Sequence, residues 1–137
     1  MNKKTLQSIG AVLAGAAAGI VVTLITDAVL HKVGVFPPQG QPASDAALAL
    51  ATTYRTIYGI GGAYLTARLA PSRPMLHVTI LGVLGLIASL VGAVLTWNKM
   101  EIYGPHWYPV ALVVLALPQS WLGGWLGEKQ LGGPAAG

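Results

Sequence analysis

Apolar residues fall into four long runs along this chain, over about residues 6–30, 46–70, 75–97 and 109–126. Crossing the hydrocarbon core of a bilayer takes about 20 apolar residues in a helix, and each run approaches or exceeds that length. Polar and helix-breaking residues separate the runs. Residues His31–Ser44 include Gly34, Pro37, Pro38, Gly40 and Pro42, and proline can neither continue a helix nor leave its predecessor free to be helical. Ser44 or Asp45 then supplies a cap for the second run. Pro71-Ser-Arg-Pro74 reads as a tight turn with Pro74 in the first turn of the next helix. Asn98–His106, with Lys99, Glu101, Gly104 and Pro105, forms the last loop, and 131–137 reads as a disordered tail. The pattern predicts an all-α, polytopic membrane protein, with one four-transmembrane-helix bundle spanning 1–130. The Asn2-Lys3-Lys4 start followed by small residues at Ala14–Ala18 also suits a signal peptide. The apolar run continues well past that point, which favours a retained span.

Composition sharpens this picture. The chain has 137 residues, of which 54% are hydrophobic and 9% charged, against about 25% charged in soluble domains. The absence of cysteine excludes disulfides, thiolate metal sites and thiol chemistry. The net charge of +4 is scattered over the loops and forms no basic patch, which argues against nucleic acid. It reads instead as topology. Lys3, Lys4, Arg68, Arg73 and Lys129 fall at one end of the four-span bundle, and only Lys32 and Lys99 at the other. Basic residues concentrate on the cytoplasmic side of a membrane, so both termini are expected in the cytoplasm. Trp97, Trp107 and Tyr108 would mark the outer interface, with Trp121 and Trp125 at the inner one.

One charge is out of place. Arg55 lies inside the second run, in Ala51-Thr-Thr-Tyr-Arg-Thr-Ile-Tyr-Gly-Ile-Gly-Gly62. A guanidinium at the centre of a membrane helix costs at least about 2.5 kcal/mol and needs a partner, a wet cavity or a route to the interface. Asp45, Leu48, Thr52, Arg55, Gly59, Gly62 and Thr66 recur at steps of three and four, so they share one face, which must look into protein. Asp27 in the first run is the expected partner of Arg55, reached by extension of the long arginine side chain towards the interface. Thr23, Asp27 and His31 share a face of the first helix, and His106 and Asp45 from the outer loops would join them in an Asp/His/Arg cluster. Tyr54 and Tyr58, one turn apart beside Arg55, offer hydroxyls. The candidate polar site is therefore Asp27, His31, Thr52, Tyr54, Arg55, Tyr58 and His106.

Small residues recur at four-residue spacing in Ala11, Gly15 and Gly19 and in Gly85, Ser89 and Ala93. Together with Gly59 and Gly62 they predict close helix packing, within the bundle or between copies of the chain. Pro118 predicts a kink in the fourth helix, because it removes one hydrogen bond and crowds the carbonyl of Val114. No catalytic, cofactor or metal motif is present, so no cofactor is expected.

Thr26-Asp-Ala-Val-Leu-His31 with Gly34-Val-Phe-Pro-Pro38, Tyr54-Arg-Thr-Ile-Tyr58 with Ala67-Arg-Leu-Ala-Pro71, and Gly104-Pro-His-Trp-Tyr-Pro109 resemble stretches of uncharacterised small bacterial four-span integral membrane proteins. That resemblance implies the bacterial inner (cytoplasmic) membrane and the four-span count, and no activity. On the residues themselves, three functions stand open. The chain is an oligomeric channel or transporter for a small solute, with Arg55 favouring an anion; or an accessory protein in which Asp27–Arg55 is structural; or an interfacial enzyme or sensor using Asp27, His31 and His106. The partners expected are the lipid bilayer and either a second copy of the chain or another membrane protein.

Overall fold

Four helices form where the apolar runs lie, in a computed structural model that describes residues 2–38, 41–99 and 104–130. They are α1 (Lys3–Lys32), α2 (Asp45–Leu69), α3 (Pro74–Thr96) and α4 (Trp107–Gln130). The tail expected over 131–137 and part of the 98–106 loop lie outside the described residues. α1, α3 and α4 are each long and apolar enough to cross a membrane.

Local chemistry sets the helix ends. Asn2 caps α1 by accepting a hydrogen bond from the Thr5 amide (2.8 Å), and Ser44 caps α2 by accepting one from the Ala47 amide (3.1 Å). α1 stops at a left-handed glycine, Gly34 (φ 87°). Beyond it the chain turns back so that the amides of Val35 and Phe36 donate to the Leu30 carbonyl. That reversal buries Phe36 against Ala47, Ala51 and Tyr54. At the other end, Arg73 takes a left-handed conformation (φ 46°) immediately before Pro74. Its carbonyl accepts from the Leu76 and His77 amides and from the His77 ring at Nδ1 (2.9 Å).

α2 is the centre of the bundle. Eight of its residues are buried, against three on α1, and it packs on all three other helices, while α1 and α3 touch only slightly. α2 is also the helix that carries Arg55 and the run of threonines and tyrosines. Its neighbours present the large apolar side chains outward, such as Leu24 on α1 and Val94 on α3. The polarity lies inside and the hydrocarbon-like surface outside, as a lipid solvent requires.

The bundle is tightest towards the Pro71–Pro74 turn. Gly15 of α1 and Gly62 of α2 meet backbone to backbone: a methyl added at Gly62 would stand 2.6 Å from the Gly15 carbonyl oxygen. Gly123 of α4 similarly presses on the Ile60 backbone and on Ala63, and Gly127 on Ala67. Thr66, fully buried, donates to the Ala11 carbonyl across the α1–α2 seam (2.9 Å). Both ends of the described chain lie here, since Gln7 donates to the Leu69 carbonyl (3.4 Å) and Arg68 to Gln130 (2.9 Å).

Candidate functional site

Asp27 and Arg55 meet. Arg55 Nη2 donates to Asp27 Oδ2 at 2.6 Å. Asp27 lies about five residues from the end of α1, ~7.5 Å along its axis, and Arg55 about ten residues into α2, ~15 Å. The arginine's length covers the difference. The other carboxylate oxygen, Oδ1, accepts the hydroxyl of buried Tyr54. Tyr58, whose ring lies 5.7 Å from that of Tyr54, is 3.0 Å from the Thr26 hydroxyl. That hydroxyl already donates to the Val22 carbonyl (2.9 Å), so the Tyr58 hydroxyl is the donor between them. Tyr108 of α4 closes the group, near enough to feel the charges of both Asp27 and Arg55. Rather than lining an outer aromatic belt with Trp97 and Trp107, Tyr108 turns inward.

The remaining polar candidates do not join this network. His31 Nδ1 bonds the Asp27 backbone carbonyl (2.8 Å), not its carboxylate, and the ring leans on Phe36. Thr52 donates to the Leu48 carbonyl one turn back in its own helix (2.9 Å). His106 stacks on Trp97 at 3.7 Å and bonds the Trp97 carbonyl, while Asp45 accepts the indole N–H of Trp107 (2.9 Å). The outer-loop cluster of Asp27, His31, Asp45 and His106 therefore does not converge. Whereas Asp27 pairs with Arg55, the groups His31, Asp45 and His106 have each been taken up by an aromatic or backbone partner. Among the described residues no three His, Asp or Glu side chains come together as metal ligands.

A cavity of about 440 Å³ opens beside the ion pair, bounded by all four helices. Arg55, Gly59 and Gly62 form its α2 wall, and Gln119 and Ser120 bring polar groups from α4. Ile20, Leu24, Leu84 and Leu112 make the rest largely apolar. Asp27 is not on the wall. Arg55 therefore stands between the carboxylate and the cavity, and its Nε is buried with no hydrogen-bond partner among the described residues. A second cavity of about 350 Å³ shares Ala88, Ser89 and Leu112 with the first and runs to Thr96, Gly104 and His106. Together they extend from the His106 end of the bundle to Arg55 and Gln119.

Two packing expectations change. Gly85, expected in a helix seam, has nothing within 4 Å of the position a methyl would take, and both Gly85 and Ser89 line the cavity. The space beside these small residues is left to the cavity. Gly59 meets the Gln119 side chain rather than a backbone. Gly15, Gly19 and Gly62 do sit in the α1–α2 contact. α4 remains helical on both sides of Pro118, which is exposed, and the next two residues turn inward to the cavity.

Sequence reasoning missed the α4 seam of Ser120, Gly123, Gly124 and Gly127. Its signal was present in the four-residue steps Ala116-Ser120-Gly124 and Gly123–Gly127. It also missed Thr26 and Tyr108 as members of the polar interior. No protein-family model, curated protein or solved structure matches this chain.

Proposed function

We propose that this protein is a small carrier of the bacterial inner membrane that admits an anionic solute from the outer face to a site at Arg55. The observation that supports this reading is the position of Arg55 on the cavity wall, with Asp27 holding only its Nη2. A sealed structural ion pair has no need of an adjoining cavity that contains polar groups from a second helix. In this reading α2 is the fourth span, tolerated because its polar residues are covered by the other helices. Both termini face the cytoplasm, as the charge of Lys3, Lys4, Arg68, Arg73 and Lys129 at that end favours.

The Pro71–Pro74 half supports a carrier over an open pore. Ala63, Ala67, Val78 and Thr66 are all fully buried there, so passage to the cytoplasm needs a second arrangement of the helices, as in alternating access.

Purified protein in liposomes, offered a panel of radiolabelled organic and inorganic monoanions, provides the test. Uptake of at least one above that of protein-free vesicles, abolished by Arg55→Gln in a folded protein, is the expected result. Uptake of none, or uptake indifferent to Arg55→Gln, rejects the reading.

A second reading, an accessory protein held to a membrane partner or to a second copy of the chain, draws on the open α3 face. Gly85 and Gly92 are exposed there with room for a methyl at each. Cross-linking through Gly92→Cys that traps one stoichiometric partner, in a protein without anion uptake, would favour it.

A further inference from the structure

The ion pair and the cavity share one guanidinium, and that sharing has an electrostatic consequence. An acceptor entering the cavity would meet the same group that neutralises Asp27. One arginine cannot compensate two anions where each uncompensated charge costs at least about 2.5 kcal/mol. With the site empty, Arg55 and Asp27 sum to zero. With an anion bound and Asp27 still ionised, the site carries one net negative charge. Addition of one proton restores neutrality.

We propose that the site binds an amphipathic organic monoanion together with one proton, and that the proton resides on Asp27. The inference rests on the reading of the cavity as an anion site. The acidic headgroup takes Arg55 donors on the cavity wall and the Gln119 amide; the apolar portion lies along Ile20, Leu24 and Leu84. About 440 Å³ falls within the range of ordinary small-molecule pockets, about 300–1,000 Å³. As Arg55 turns to the ligand, Asp27 Oδ2 is released and takes a proton from water at the His106 end of the bundle. Oδ1 keeps the hydroxyl donated by Tyr54. One O–H bond of a hydronium ion or buffer acid breaks as the Asp27 O–H forms, and no other covalent bond changes.

The groups around Asp27 leave it as the natural acceptor. From α2 it faces Tyr54 and Arg55, and from α4 Tyr108. The tyrosine hydroxyls are neutral acids and Arg55 already carries its charge. On α1 itself His31 bonds the Asp27 carbonyl. α3 offers no charged neighbour; its one titratable side chain, His77, is at the opposite end, on the Arg73 carbonyl. His31 is therefore the rival acceptor, and the experiment separates the two.

The probe is sodium hexanesulfonate, whose headgroup stays ionised throughout the working range and cannot itself carry a proton. Titrated into weakly buffered, detergent-solubilised protein, it is expected to bind saturably relative to protein-free micelles. Near neutral pH about one proton should be taken up per anion. The apparent Kd should tighten by up to about tenfold per unit fall in pH, the slope of one linked proton. Asp27→Asn should bind with no proton uptake and no pH dependence, His31→Gln should retain both, and Arg55→Gln should not bind. Binding by the wild type without proton uptake overturns the proposal and leaves the anion site standing. Uptake lost in His31→Gln but kept in Asp27→Asn overturns the assignment to Asp27. Absence of hexanesulfonate binding overturns the proposed ligand class, and the anion-flux panel then decides whether any site remains.

Discussion

The two halves of this bundle use the same residue types for opposite purposes. Near the Pro71–Pro74 turn, Gly123 and Gly127, with Gly15 and Gly62 at the edge of the larger cavity, let helices touch through their backbones, and the largest fully buried side chains are only Val78 and Thr66. Towards the His106 end, Gly85, Ser89, Gly92 and Ala93 are as small, yet they border the two cavities. The difference lies in what faces them. α2 closes on both α1 and α4 in the first half, whereas α1 meets α3 and α4 only slightly. Where a backbone approaches, a missing side chain gives contact; where none does, it gives space.

Enlarging a small residue should therefore have opposite results in the two halves. Gly123→Leu forces a side chain into the Ile60 backbone and Ala63. It should destabilise the protein by about 3 kcal/mol or more, seen as loss of monodisperse protein or a large fall in the thermal midpoint in detergent. Gly85→Leu has open space and should leave that midpoint almost unchanged while reducing anion uptake. Equal damage from the two would break the contrast.

The next largest effect is expected at the ion pair. Asp27→Asn leaves Arg55 unpaired in a half-buried position, with 34% of its side chain exposed. Removing one partner of a fully buried pair costs about 3–5 kcal/mol, and partial exposure should reduce this to about 2 kcal/mol. The Asp27→Asn, Arg55→Gln double variant should recover part of the loss, and a thermal-unfolding double-mutant cycle measures the coupling. Strict additivity would mean that the pair contributes nothing.

Smaller effects probe each half at a single hydrogen bond. Tyr54→Phe removes a donor to a carboxylate and should cost about 1.5 kcal/mol. Thr66→Val removes the bond across the α1–α2 seam and should cost about 0.6 kcal/mol, the usual scale for such bonds in membranes. Both are read from chemical or thermal unfolding against wild type. A reversed order would place the stability of the bundle in its sealed half alone.

Helix positions were largely legible in the sequence because they follow from local chemistry: apolar runs, the cap at Ser44, and the prolines and glycines of the turns. Arg55 announced itself by its cost in lipid, and Asp27 was the acidic residue inside another apolar run. What could not be read was three-dimensional occupancy. The Gly85-Ser89-Ala93 ladder has the same spacing as Ala11-Gly15-Gly19, and nothing local reveals which one has a helix opposite. The polar loop residues were equally opaque. His106, Asp45 and His31 each had an aromatic ring or a carbonyl closer than the Arg55 site, and those short-range partners decided their places.

The absence of cysteine from the chain allows the central contrast to be tested directly. Single Ser89→Cys and Thr66→Cys variants in intact cells or right-side-out vesicles can be exposed to a membrane-impermeant thiol reagent from the outer face. Rapid modification at Ser89→Cys, slowed by hexanesulfonate, with no modification at Thr66→Cys, is the expected result. An unreactive Ser89→Cys, or equal reaction at both positions, would contradict an outward-open site above a sealed floor.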